Sequence, residues 1–333
     1  AYMWLSTVRD SQGRIEESIE LLHKSLRVDP LGRIPYANLP RLYAQRGQND
    51  EAIDLYVKAI EIHPEWPTAY RNLAQHLSGL GRMDEAVAWG LKAQELSYDP
   101  IGGAPMVAAY IEFGEYDKIQ DVFSGVTPDH PLYTYGLSME KALQFDFAGA
   151  IEVIENAIEG VDNPRRPQLS LLAAFAMFAG DFEKARKYAE LRDPEFAADA
   201  DPQLDATNLA NLVRYAFILQ NLGENERAGI LLESALPVVR TLHRTGLTGH
   251  GIRDVQILTL LGKTSEALAA FRDAIDEGFR GTVASNGWPL AIDPYLNSLR
   301  GQPAFEAMIT ELDDEVAAMQ QRVSEAEQSG DWD

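Results

Sequence analysis

The chain repeats itself every 34 residues, and that period limits its fold more than any other feature. The clearest unit runs from Tyr36 to Pro64, YANLPRLYAQRGQNDEAIDLYVKAIEIHP. Leu39, Leu42 and Tyr43 recur at helical spacing in its first half, and Ala52, Ile53, Tyr56, Ala59 and Ile60 do so in its second. Gly47 stands between them, where a residue without a Cβ can leave a helix left-handed. Pro64 ends the unit because it cannot continue a helix interior. A shift of 34 residues upstream places Gly13, Ser18, Leu22, Ser25 and Pro30 on Gly47, Ala52, Tyr56, Ala59 and Pro64. Downstream, Gly81, Ala86, Gly90 and Ala93 fall on the first four, with Pro100 two residues late. A lone hairpin cannot bury its apolar face, so stacked copies must supply the cover.

These units resemble the tetratricopeptide repeat (TPR), whose period is 34 residues. The resemblance implies an all-α fold, a right-handed superhelical solenoid of about eight helical hairpins. Small residues at the Ala52 and Ala59 positions permit close helix approach, and large ones at the Tyr56 position fill the gap between hairpins. Residues 1–100 hold three regular hairpins. Residues 101–164 hold two degenerate ones: Ile101–Val126 keeps Gly114 but puts Ile119 and Val126 where small residues stood, and Asp129–Val161 lacks the turn glycine. Residues 165–280 restore the pattern in three more, through Gly180, Gly223 and Gly262. Pro237 falls within a second helix and should kink or break it. Residues 281–333 read as a loop and a long helix from about Pro303; its last 30 residues hold nine acids and one base, so a solvated capping helix is expected.

A narrower resemblance lies in Gly278–Phe279–Arg280, Asp293–Pro294, Leu299–Arg300, Pro303 and Phe305. This closing segment is similar to those of TPR arrays in proteobacterial regulators, where a winged-helix or nucleotide-cyclase domain and a membrane span precede the array. Gln302–Pro303–Ala304–Phe305 departs from the acidic and Pro-Arg-Phe-like run usual there. The resemblance implies a sensor or docking array of a larger protein, periplasmic in that case and otherwise cytoplasmic. The start at Ala1, inside a helix of the first repeat, reads as a processed or trimmed terminus.

Composition removes several function classes. The net charge of −22 opposes phosphate neutralisation, so no nucleic-acid partner is expected. No apolar run reaches the roughly 20 residues of a membrane helix, so no membrane insertion by this chain is expected. With no cysteine, disulfides and thiolate chemistry are excluded. The six histidines are scattered; only His243 and His250 are near each other, across the glycine-rich loop, and no clustered carboxylate completes a metal set, so no metal and no cofactor is expected. Gly262–Lys263–Thr264 has Ile257 where a phosphate-binding loop needs glycine, and is a repeat turn. No catalytic constellation can be assembled, and a site in the groove or in the Thr245–Gly251 loop is the weaker reading beside a non-catalytic scaffold.

In a TPR superhelix the first helix of each hairpin lines a concave groove for a peptide or partner protein. The resemblance therefore implies groove positions at Arg41, Thr68, Arg71, Asn72 and Gln75, then Tyr135, Met139, Phe217, Gln220, Arg253 and Gln256. Arg41 and Arg71 could grip a carboxylate bidentately, or pair with neighbouring acids at little net energy. Tyr133, Tyr135, Phe145 and Phe147 are expected to fill core in degenerate repeat five rather than form a partner-facing hot spot. Trp288 and Tyr295 are expected beneath the terminal helix.

Overall fold

A computed structural model describes residues 2–97, 103–128, 130, 132–197, 204–205, 208–246, 249–281 and 289–332. Among them the chain forms eight consecutive hairpins and a closing helix. The hairpins are α1 Tyr2–Ser11 with α2 Ile15–Val28, α3 Arg33–Gln45 with α4 Asn49–Ile62, α5 Pro67–Gly79 with α6 Met83–Leu96, and α7 Ala104–Glu112 with α8 Tyr116–Phe123. They continue as α9 Tyr133–Leu143 with α10 Phe147–Ile158, α11 Arg166–Phe178 with α12 Phe182–Arg192, α13 Leu209–Asn221 with α14 Asn225–Val239, and α15 Arg253–Leu260 with α16 Thr264–Asp276. The last helix, α17, spans Pro303–Ser329. Pro100 and Trp288 lie outside the described residues.

Small side chains set the spacing. Ala52, Ala59, Ala86, Ala150, Ala185, Ala228, Ala235, Ala267 and Ala274 are all fully buried. A Cβ on Gly90 would stand 2.7 Å from Cγ of Met106, so α6 and α7 approach more closely than any larger residue allows. Pro237 sits in the final turn of α14, which continues to Val239.

Each hairpin turn needs one left-handed residue. Gly47 has φ +74°; its N–H donates to Ala44 O at 2.9 Å, and the N–H of Gln48 to Tyr43 O at 3.0 Å. Repeat five makes the same turn without glycine. Phe145 takes φ +60°, its N–H donates to Ala142 O at 3.0 Å, and that of Asp146 to Lys141 O at 2.9 Å. The hydrogen bonds of the turn therefore outweigh the steric penalty of a Cβ, about 1–2 kcal/mol. Asp146 then caps α10 by accepting from the N–H of Gly149 at 2.9 Å. Phe145→Gly should raise stability by about 1 kcal/mol, once the greater freedom of an unfolded glycine is subtracted. A thermal melt checks this, and an unchanged or lower midpoint would mean that the Phe145–Phe147 ring contact, 6.1 Å between centroids, outweighs the strain.

The aromatic residues of repeat five divide. Phe147 stacks on Phe178 at 5.2 Å and fills core as expected. Tyr133, Tyr135 and Phe145 are 36%, 37% and 64% exposed and do not.

The C-terminal segment is more than a cap. Residues 290–299 form two short 3-10 turns that pack on α15, and α17 covers α16 through Phe305, whose ring lies 5.5 Å from that of Phe271. From there α17, about 40 Å long at 1.5 Å per residue, runs back to repeats three and four. Arg322 Nε donates to Asp84 Oδ2 at 2.6 Å, Gln320 Nε2 to the carbonyl of Phe113 at 3.2 Å, and Lys118 Nζ to Glu327 at 2.8 Å. The loop after α14 meets the same turns: Gly246 N–H donates to Gly79 O at 3.1 Å. One continuous buried core accordingly runs from Met83 to Val323, while the first repeats carry small separate clusters. At the opposite end α1 leaves Trp4 79% exposed.

Candidate functional site

The first helices of successive hairpins touch one another, α3 with α5, α5 with α7, α11 with α13 and α13 with α15, whereas the second helices lie further apart. The first helices are therefore the inner wall of the array, and the candidate groove residues can be placed along it.

In repeats two and three the wall is accessible. Arg41 on α3 is partly exposed and forms an ion pair with Asp10 of α1. Thr68, Arg71 and Asn72 on α5 are half-buried, and Gln75 is exposed. The helices that carry these positions, α3 and α5, are neighbours. Tyr135 on α9 presents about a third of its surface, its ring edge-on to Phe123 at 6.4 Å. Met139, one turn on, is only 6% exposed and belongs to the core.

In repeats six to eight the chain covers its own wall. Tyr295 lies against first helices rather than beneath α17: its ring stands 5.1 Å from Phe217, edge-on, and its hydroxyl donates to Sδ of Met177 at 3.6 Å. Phe217 also packs on Phe182, and Gln220 Nε2 donates to Leu260 O at 2.9 Å. Gln256 is fully buried and donates to Asp293 Oδ2 at 2.7 Å, while the N–H of Tyr295 donates to Oδ1 at 2.9 Å. Gln256 and Met139 thus lie inside the molecule, Gln256 because residues 290–299 pack over it.

This closed half carries buried charge. Burial pushes the Asp293 carboxyl up to about 6, opposed by the hydrogen bonds from Gln256 and Tyr295 and by nearby Arg253 and Arg300. Burial likewise draws Arg253 down to about 10, leaving it charged at neutral pH. Beside them Arg244 grips Asp254 bidentately, Nη1 and Nη2 each donating at 2.9 Å, and its Nε donates to Glu277 at 2.9 Å. Arg244 also donates to Gly251 O at 2.7 Å, which fixes the loop onto α15. His250, buried here, is held down to about 4 by desolvation and by Arg244 and Arg253. No group of three or more residues able to hold a metal occurs among the described residues, and none of their helices is long and apolar enough to cross a membrane.

Asp293 and Tyr295, which close the wall, were the positions least visible in the sequence. The Asp293–Pro294 pair signals a capped short helix, but nothing in it states which helices that turn packs against.

Residues 41–81 match the family model described as TPR repeat. Those residues form a tetratricopeptide repeat, and the hairpins around them share its helical architecture. That match falls on the accessible wall of repeats two and three. Among solved structures, the chain resembles one from the APC/C hetero-tetramer Cut9–Hcn1 with a TM-score of 0.53 at 13% identity, covering 88% of this chain and 55% of that one. PilW, a type IV pilus biogenesis factor, aligns at 17% identity with a TM-score of 0.39, over 71% of this chain and 91% of its own. A tetratricopeptide repeat protein from Parabacteroides merdae aligns at 15% identity with a TM-score of 0.37, over 84% and 92%. No curated protein matches the sequence. The likeness extends to the fold alone.

Proposed function

We propose that this TPR protein is a non-catalytic interaction scaffold whose open recognition wall is confined to its N-terminal repeats. The residues that carry it are Arg41, Thr68, Arg71, Asn72 and Gln75, and the ligand is a peptide segment bearing a carboxylate, which a guanidinium fork suits. The observation behind this reading is the occupation of the C-terminal inner wall by residues 290–299, with Gln256 bonded to Asp293 and Phe217 covered by Tyr295. The tethered-regulator reading gains no support from the closing motif, whose residues have structural tasks. Phe279 packs on Phe271, and Arg300 donates to Leu290 O and Asp293 O, both at 3.2 Å.

Panning a peptide library against the intact chain tests the proposal. Peptides with a free carboxylate at one end or an acidic side chain should be enriched. Arg41→Glu with Arg71→Glu should weaken their binding at least about tenfold, ~1.4 kcal/mol, with the helical circular dichroism unchanged. Undiminished binding to the double variant would refute the wall assignment.

A further inference from the structure

A second surface opens between degenerate repeats four and five. The second helices α2, α4 and α6 each have 14 residues, but α8 has eight and stops at Phe123. Its missing last turns would have packed on α9, and Ile119 and Val126 stand where small residues let other hairpins close up. A cleft of about 600 Å³ remains between α8 and α9. Its floor is apolar, built by Ile119, Phe123, Leu132 and Leu137, and Tyr116 and Tyr133 stand on it 44% and 36% exposed. The charged residues lining it are Asp117 and Glu140, with no cation among them; Gln120 Nε2 donates to Glu140 at 3.2 Å across the gap. The nearby lysines are turned to other acids, Lys118 to Glu115 and Glu327 and Lys141 to Asp146.

We propose that this cleft docks a short amphipathic helix of a basic partner protein. Four features favour that occupant. The walls are two helices, so a partner helix can lay its apolar stripe between them as in helix-in-groove recognition. The eight residues of α8 span about 12 Å, the length of about two partner turns and of anchors at i, i+4 and i+7. The acidic rim and a chain charge of −22 attract lysine and arginine flanking that stripe and repel a second copy of this chain. The exposed tyrosines on the apolar floor are the residue type that anchors such contacts. This surface is separate from the Arg41–Arg71 wall.

The probe is a fluorescein-labelled leucine–lysine peptide of about 14 residues, roughly four helical turns, with leucines at i, i+4, i+7 and i+11, compared with a scrambled isomer of the same composition. Fluorescence anisotropy at physiological salt should show saturable one-to-one binding at least about tenfold tighter than the isomer's. Asp117→Lys with Glu140→Lys should weaken it at least about tenfold, whereas Glu226→Lys with Glu233→Lys, the same charge change on α14, should leave it within about threefold. Binding that Arg41→Glu with Arg71→Glu leaves intact separates this cleft from the concave wall. Absent binding, equal binding of the two isomers, or equal losses from the two lysine pairs would overturn the proposal. So would a dimer of the free chain that Tyr133→Ala dissociates, since a second copy would then be the occupant.

Discussion

Replacing Phe305 with alanine should destabilise the C-terminal half by about 3–5 kcal/mol, the usual loss for emptying a fully buried phenylalanine site. Phe305 has no exposed surface and joins α17 to α16 through Phe271. In an array held mainly by neighbour contacts the effect should be uneven. Hydrogen exchange should rise in α15, α16 and α17, while α3 and α4, whose core is separate, keep their protection. The ion pairs further along α17, Arg272 with Glu311 at 2.7 Å and Arg322 with Asp84 at 2.6 Å, are exposed and cannot hold the helix by themselves. A uniform loss of protection from α1 to α17 would show instead that the molecule unfolds as one unit.

The pH dependence of stability should change slope when Asp293 becomes asparagine. In the folded chain Asp293 holds its proton up to about 6, against an ordinary 3.8, so acidification between those values favours the folded state. His250 acts in the opposite sense. Its folded value of about 4 lies below the ordinary 6.5, so the unfolded chain takes up a proton that the folded chain refuses, and acidification favours unfolding. The groups facing Asp293 are Gln256, Arg253, Arg300 and Tyr295; those facing His250 are Asp254, Arg244, Arg253 and His243. Between about pH 7 and pH 5 the two contributions are of order 1–2 kcal/mol each and largely cancel. Asp293→Asn should therefore lose more stability than wild type on moving from pH 7 to pH 5, and His250→Gln should lose less. Denaturation midpoints at the two pH values, read as differences from wild type, check both signs. A variant slope equal to wild type would mean that Asp293 titrates as an ordinary surface carboxylate.

The repeat architecture was legible because it rests on local signals. Glycine at the turn, alanine at the close approach and tyrosine or leucine between hairpins each act within one 34-residue unit or its neighbour. Phe145 shows where that reading ends: the turn survives without its glycine because backbone hydrogen bonds and the Asp146 cap hold it, and sequence spacing does not weigh those terms. The return of α17 to repeats three and four was not legible. It depends on contacts between residues more than 200 positions apart, such as Arg322 with Asp84 and Gln320 with Phe113, which no periodicity encodes. The inner wall was half legible for the same reason. Arg41, Thr68, Arg71, Asn72 and Gln75 could be placed from their own hairpins, whereas the burial of Gln256 and the covering of Phe217 depend on where residues 290–299 settle.

The closed array is tested most directly by one distance. The chain has no native cysteine, so Asp121→Cys and Gln328→Cys supply the only two thiols for spin labels. Both positions are exposed and flank the contact of Lys118 with Glu327. Double electron–electron resonance on the doubly labelled protein should give a single short, narrow distance, the mark of α17 braced across repeats three and four. A long, broad distribution would mean that α17 is only a terminal cap projecting beyond α16, and the inner wall of repeats six to eight would then have to be reconsidered as an open site.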